Sequence, residues 1–279
     1  MFGYLLDFFK TFGITNVDVI TNQYDMEWFV FYQKLGYTFR IVNTKEELGS
    51  YNLVIFLTDD DKTYTYPYQH YMLAIDHTSQ LRNSNVKFHI GVKYFQDNPS
   101  QLYALPVYKR LSKQEKLDKL SSQSKINIIL LGGGSVIKKI EELSFLNSGD
   151  REIQYHILNR NLYQELDSIK KDIRYKKKKK LLPKKTSFSV YLFCESTVLF
   201  ELLSISHYIF INTHEEYLSG DKMSAAIPLA FSNGCQLIMP QEMNTTYNFA
   251  SPIFYQDKNH EVSVSLNPDL NAVYSEMSK

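Results

Sequence analysis

Hydrophobic positions in this chain gather in short continuous runs separated by stretches of mixed polarity. Leu53-Val54-Ile55-Phe56-Leu57 and Ile126-Asn127-Ile128-Ile129-Leu130-Leu131 are the sharpest of them. Runs of that length, with little alternation, predict strands buried on both faces of a parallel sheet. In the first half, strands are predicted at 16–21, 39–42, 53–58 and 86–92. A helix at 23–35 carries Met26, Phe29 and Val30 at helical spacing and is stopped by Gly36. The second half is more regular. Strands at 126–131, 153–158, 187–193, 207–212, 236–239 and 253–255 alternate with helices at 136–145, 162–173 and 198–205. A further helix opens on small residues after Met223 and is broken by Asn233-Gly234. Strand–helix alternation with short connections predicts an α/β fold with parallel sheets covered by helices. The polar, Lys/Ser/Gln-rich stretch 112–124 reads as a linker holding a surface helix. The expected organisation is therefore a domain over 1–118, a domain over 119–258 and a tail over 259–279.

The 279 residues suffice for about two domains. Hydrophobic content of 44% suits a full core, and no apolar run approaches the ~20 residues of a membrane helix. The start of the chain lacks the basic segment and cleavage site of a secretory signal. Cys194 and Cys235 are too few and too far apart for a disulfide framework or a zinc site. A cytoplasmic setting is the expectation. A net charge of +1 argues against a general nucleic-acid binder.

Chemistry-bearing residues fall where predicted strands end. Gly132-Gly133-Gly134-Ser135 lies between a strand and a helix, where bare backbone lets a phosphate approach and the helix start favours anions. A tight turn is the plain alternative. The spacing Gly-x-Gly-x-x-Gly is absent, and the next strand ends in Asn159-Arg160 rather than an acidic residue, which disfavours a dinucleotide site. Arg160 has the forked donors that suit a diphosphate. Cys194-Glu195-Ser196 precedes a helix; Glu195 either accepts from sugar hydroxyls or serves the helix start. Asp59-Asp60-Asp61 follows a buried strand, where clustered carboxylates raise one another's pKa and suit a base. His77, beside Asp76, is a second candidate base. The run Lys176–Lys180, with Lys184 and Lys185, reads as an extended, solvated loop.

The segment from Asp221 to Pro240, with the helix-to-strand unit 201–211 before it, resembles the donor-binding segment of two-lobed, GT-B-type nucleotide-sugar glycosyltransferases. Matching Gly234-Cys235-Gln236-Leu237-Ile238 to the family's Gly-x-Pro-x-Ile strand puts its paired glutamates at Asp221 and Leu229. The resemblance covers most of 125–256; the first half matches in strand order and length. It implies two Rossmann-like α/β/α domains whose parallel sheets face a central cleft. It implies transfer of a sugar from a UDP- or GDP-sugar to a hydroxyl of a glycan or other acceptor, with no metal required. The donor-binding residues would be Gly133, Gly134, Ser135, Asn159, Arg160, Cys194, Glu195, Asp221, Lys222, Met223, Ser224, Ala225 and Ala226. Asp59, Asp60 and His77 would be the catalytic candidates. The end of the chain crosses back to the first lobe in many such enzymes, an option left open for 259–279. Two alternatives stand beside this reading: a noncatalytic nucleotide- or glycan-binding protein of the same fold, and a nicotinamide-dependent oxidoreductase.

Overall fold

Backbone pairing in the computed structural model bears out the parallel α/β expectation. The described residues are 2–20, 26–42, 51–56, 71–76, 88–91, 102–103, 110–131, 143, 145–159, 166–178, 185–192, 194–211, 224–256 and 261–277. They divide into two units: Met1–Tyr108 with Ser219–Met223, and Lys109–Leu218 with Ser224–Lys279.

The first unit begins with α1 (Phe2–Thr11), β1 (Asp18–Ile20), α2 (Met26–Lys34) and β2 (Arg40–Val42). Gly36, at φ +86°, follows α2 as its composition predicts. β1 and β2 are parallel neighbours, and Leu6, Val19, Phe29 and Phe39 close a small core between them and the helices. Asp18 and Arg40 are direct partners in the register and form a two-pronged ion pair at 2.6 and 3.0 Å. Then come β3 (Leu53–Phe56), β4 (Tyr71–Asp76), β5 (Phe88–Gly91) and β6 (Leu102–Tyr103), a parallel four-stranded sheet in chain order. Periodicity did not predict β4. Its run Tyr-Met-Leu-Ala-Ile holds a single β-branched residue, and pairing with β3 and β5 supplies what local preference lacks.

The second unit runs through α3 (Lys113–Ser121), β7 (Ile126–Leu130), β8 (Leu146–Asn147), β9 (Ile153–Asn159), α4 (Leu166–Lys178), β10 (Thr186–Leu192) and α5 (Ser196–Ile205). It continues with β11 (Tyr208–Phe210), α6 (Ala226–Ser232), β12 (Gln236–Pro240), β13 (Ile253–Tyr255), β14 (Val262–Ser263) and α7 (Leu270–Glu276). Six strands form one all-parallel sheet in the order β10-β9-β7-β11-β12-β13. Numbered along this unit, the order is 3-2-1-4-5-6, that of doubly wound nucleotide-binding sheets. Every residue of β7 and β12 is buried, as their continuous apolar runs require. Ile126, Ile128, Leu130, Tyr155, Ile157, Phe210 and Ile238 share one face and pack with Ile173 of α4 and with Leu143, Phe145 and Val262. The buried residues of α5 and α6 lie outside that cluster, as do Ile129, Ile209 and Leu237 on the alternate strand positions. Helices therefore cover both faces of the sheet.

Two expectations need correction. α3 does not belong to a linker: the division falls before it, and Lys116 and Leu120 are buried in the second unit. A reciprocal cap starts α3, with Ser112 Oγ accepting from Glu115 N–H and Glu115 accepting from Ser112 N–H. Lys176, Lys177 and Lys178 are helical rather than extended, as part of α4. Ile173 anchors that helix, and cations in its last turn favour the helix dipole. The tail, whose course the sequence left open, belongs to the second unit, where Asp269 caps α7 through Ala272 N–H and Leu270 and Val273 are buried.

Candidate functional site

In an open parallel sheet, ligands gather at the carboxyl ends of the strands where the strand order reverses. Here the reversal lies between β7 and β11, which pair in parallel from Tyr208↔Ile128 to Phe210↔Leu130. The chain leaves β7 through Leu131 into Gly132-Gly133-Gly134-Ser135, and leaves β11 through Ile211. Ile211 is fixed from both sides: its N–H donates to Ile238 O at 2.9 Å, and its carbonyl accepts from Tyr255 OH at 2.8 Å. The reversal point is thus framed by two buried residues at the strand ends, Leu130 and Ile211.

β9 and β10 end at the same edge. Asn159 closes β9 opposite Leu192, the last residue of β10. With ~4.8 Å between neighbouring strands, β10 ends about 10 Å from β7. Glu195 then takes the N-cap position of α5 with extended backbone (φ −61°, ψ 151°), and its side chain makes no cap hydrogen bond. Its exposed carboxylate is therefore not consumed by helix-start chemistry. Cys194, half-buried beside it, points its Sγ at the Glu195 carbonyl, 3.6 Å away.

The start of α6 lies at this edge as well, because the helix leads from β11 into β12. Ala225 is exposed there, while Ser224 and Ala226 are buried. Part of the first-turn donor set is already spent. Ser224 O accepts from Ile227 N–H at 3.1 Å, Ser224 Oγ receives Ala226 N–H at 3.4 Å, and Pro228 has no N–H. The first turn of α6 therefore offers an anion no open array of amides. Leu229 is half-buried on α6, with its N–H on Ala225 O at 3.4 Å.

Of the candidates, the structure therefore gathers Asn159, Cys194, Glu195, Ser224, Ala225 and Ala226 at one edge of one sheet. Asp59, Asp60, His77, Gly133, Gly134, Ser135, Arg160, Asp221, Lys222 and Met223 lie outside the described residues. In sequence, residues 57–61 follow β3 and His77 follows β4. Those strands are parallel neighbours, so the chain leaves both at the same sheet edge. Among the described residues, no three His, Cys, Asp or Glu side chains converge as metal ligands would.

Two polar centres that sequence reading missed lie away from this edge. Lys116 is wholly buried, and its Nζ donates to the carbonyls of Ser206 (2.6 Å), Leu203 (2.8 Å) and Ser204 (3.2 Å), where α5 ends. Cys235 Sγ lies 3.4 Å from the same nitrogen. Burial pulls the Lys116 ammonium below its ordinary range and pushes the Cys235 thiol up. The second centre joins His156, Asn127 and His207. His156 Nε2 meets Asn127 Oδ1 at 3.1 Å, and Asn127 N–H donates to His207 Nδ1 at 3.1 Å. The proton of neutral His207 consequently sits on Nε2, a buried atom without a hydrogen-bond partner. Desolvation pushes both imidazoles down to about 4. Their signal in the sequence was one polar residue inside an apolar run, which does not reveal its partner.

No family model matches the sequence, and no curated protein matches it either. Solved structures with a similar course of the chain include MurG from Acinetobacter baumannii, at 10% identity and a TM-score of 0.38 over 98% of this chain. A UDP-forming α,α-trehalose-phosphate synthase from Burkholderia xenovorans is similar at 9% identity and a TM-score of 0.32 over 99% of this chain. The chain spans 67% of the first of these proteins and 63% of the second.

Proposed function

We propose that this chain is a glycosyltransferase that moves a sugar from a nucleotide-sugar donor, a UDP- or GDP-sugar, to an acceptor hydroxyl. The observation that carries the reading is the 3-2-1-4-5-6 parallel sheet; in sequence, Gly132-Gly133-Gly134 come just after β7, the strand at its reversal point. Glycines there let backbone amides meet a diphosphate. The amide of Ala225, an exposed residue, and the side chains of Arg160 and Lys222 would add donors. Glu195, with no cap bond to make, would accept from ribose hydroxyls.

The acceptor hydroxyl would attack the anomeric carbon. Its proton would pass to a carboxylate of Asp59 or Asp60 or to the imidazole of His77. The bond from the anomeric carbon to the diphosphate oxygen breaks, and its electron pair leaves with the nucleoside diphosphate. Fixed donors around that diphosphate stabilise the charge it gains, which is how the step proceeds without a metal ion. Leu229 supports a second reading. It occupies the position of a family glutamate and offers no acceptor, which favours a protein that binds the nucleotide without transfer.

Calorimetric titration with UDP-, GDP- and TDP-sugars tests the assignment. Saturable binding of one of them, with release of the nucleoside diphosphate in the presence of acceptor, is the expected result. Binding with no release across a broad acceptor panel selects the noncatalytic reading. Tight NADPH binding with no affinity for any nucleotide sugar overturns both.

A further inference from the structure

The lysine-rich segment after β9 plays no part in the proposed transfer. Residues 166–185 contain ten basic and two acidic side chains, so this stretch carries +8 in a chain of net charge +1, and the remainder carries −7. α4 arranges much of that charge. Ile173 turns inward to the core, and Lys170, Lys171, Arg174, Lys177 and Lys178 are all exposed. Lys170, Arg174 and Lys178 recur every fourth residue and so form one row along the outer face, about 12 Å long at 1.5 Å per residue. Lys171 and Tyr175 form the adjacent row, and Tyr175 is 56% exposed. Lys177 differs: its Nζ donates to Thr186 O at 2.6 Å and sits 5.5 Å from the Phe188 ring. Among the described residues, the other four cations form no ion pair. Dipole complementation accounts for cations in the last turn of a helix, but not for Lys170 and Lys171 near its start.

We infer that the outer face of α4 docks the protein on an anionic lipid bilayer. The cations lie in two rows along the exposed side of a single helix. A planar surface meets such a face in full. The remainder of the chain, at −7, repels a polyanion that wraps around the protein and turns the basic face toward a flat one. Exposed Tyr175 adds an aromatic ring of the kind that settles at headgroup depth. Basic clusters on a helix bind anionic headgroups through just this combination, and salt weakens them.

The experiment is vesicle co-sedimentation of the full chain. It uses pure phosphatidylcholine vesicles, vesicles with about a third phosphatidylglycerol, and a single-stranded oligonucleotide at equal total phosphate. Binding to the anionic vesicles at least about tenfold tighter than to the neutral ones, falling with added salt, is expected. The triple variant K170E/R174E/K178E should lose about tenfold or more, while K119E, on exposed α3 surface, should not. If charge reversal prevents folding, K170Q/R174Q/K178Q replaces it and should lose most of the same affinity. Equal partition between the two vesicle types, an unaffected triple variant, or tighter binding to the oligonucleotide than to anionic vesicles overturns the proposal.

Discussion

The hydroxyl of Tyr274 lies 2.5 Å from the point where a side chain on Gly234 would begin. Gly234 sits at φ +63°, in the turn between α6 and β12, and Tyr274 OH donates to Leu111 O at 2.8 Å across it. One residue thus reverses the chain and seats α7 against the start of the second unit. Gly234→Ala meets both a left-handed backbone and an occupied space. It should cost about 2–3 kcal/mol in urea denaturation. Tyr274→Phe removes the blocking oxygen, so the double variant should lose less than the sum of the single losses.

Lys116 holds the end of α5 by giving its protons to three carbonyls at once. Lys116→Met keeps the volume and removes the ammonium donor from all three carbonyls, leaving only the weaker Cys235 thiol and the Ser206 N–H near them. A loss of about 2–4 kcal/mol is expected by chemical denaturation. Lys119→Met on the same helix is exposed and should change stability by less than about 0.5 kcal/mol.

Acid should unfold the second unit through His156 and His207. Both are held neutral by burial, at about 4 against an ordinary 6.5. Between those values the unfolded chain binds the proton and the folded chain does not. Stability is therefore complete above about pH 6.5 and declines as pH falls toward 4, by up to about 3 kcal/mol for each residue. Melting temperature measured from pH 8 to pH 4 checks this. His156→Gln, which can still donate to Asn127, should flatten the decline.

Glu195 and Ala225 test the donor edge separately from the fold. Both are exposed, so neither substitution should change the unfolding free energy measured in urea by more than about 0.5 kcal/mol. Glu195→Gln should weaken donor binding about tenfold, since a carboxylate acceptor is worth roughly 1.5 kcal/mol more than a neutral one. Ala225→Trp should block the approach to the amide and abolish detectable binding in the same titration.

The amino-acid pattern alone determined that β7, β9, β10, β11, β12 and β13 exist and that they run parallel. An apolar run such as Ile126–Leu130 has no solvent side, and helical segments between the runs leave only crossover connections. The pattern likewise placed Gly36 and Gly234 at turns and Glu195 and Ala225 at helix starts. It could not supply the strand order, because sequence-distant neighbours such as β7 and β11 are chosen by packing rather than by local preference. For the same reason a polar stretch around Lys116 read as a linker, although its ammonium reaches carbonyls nearly ninety residues away. Local periodicity is a property of neighbours along the chain. The cage around Lys116, the seat of Tyr274 on Gly234 and the carboxyl-end edge holding Asn159, Glu195 and Ala225 exist only once burial has brought distant segments together.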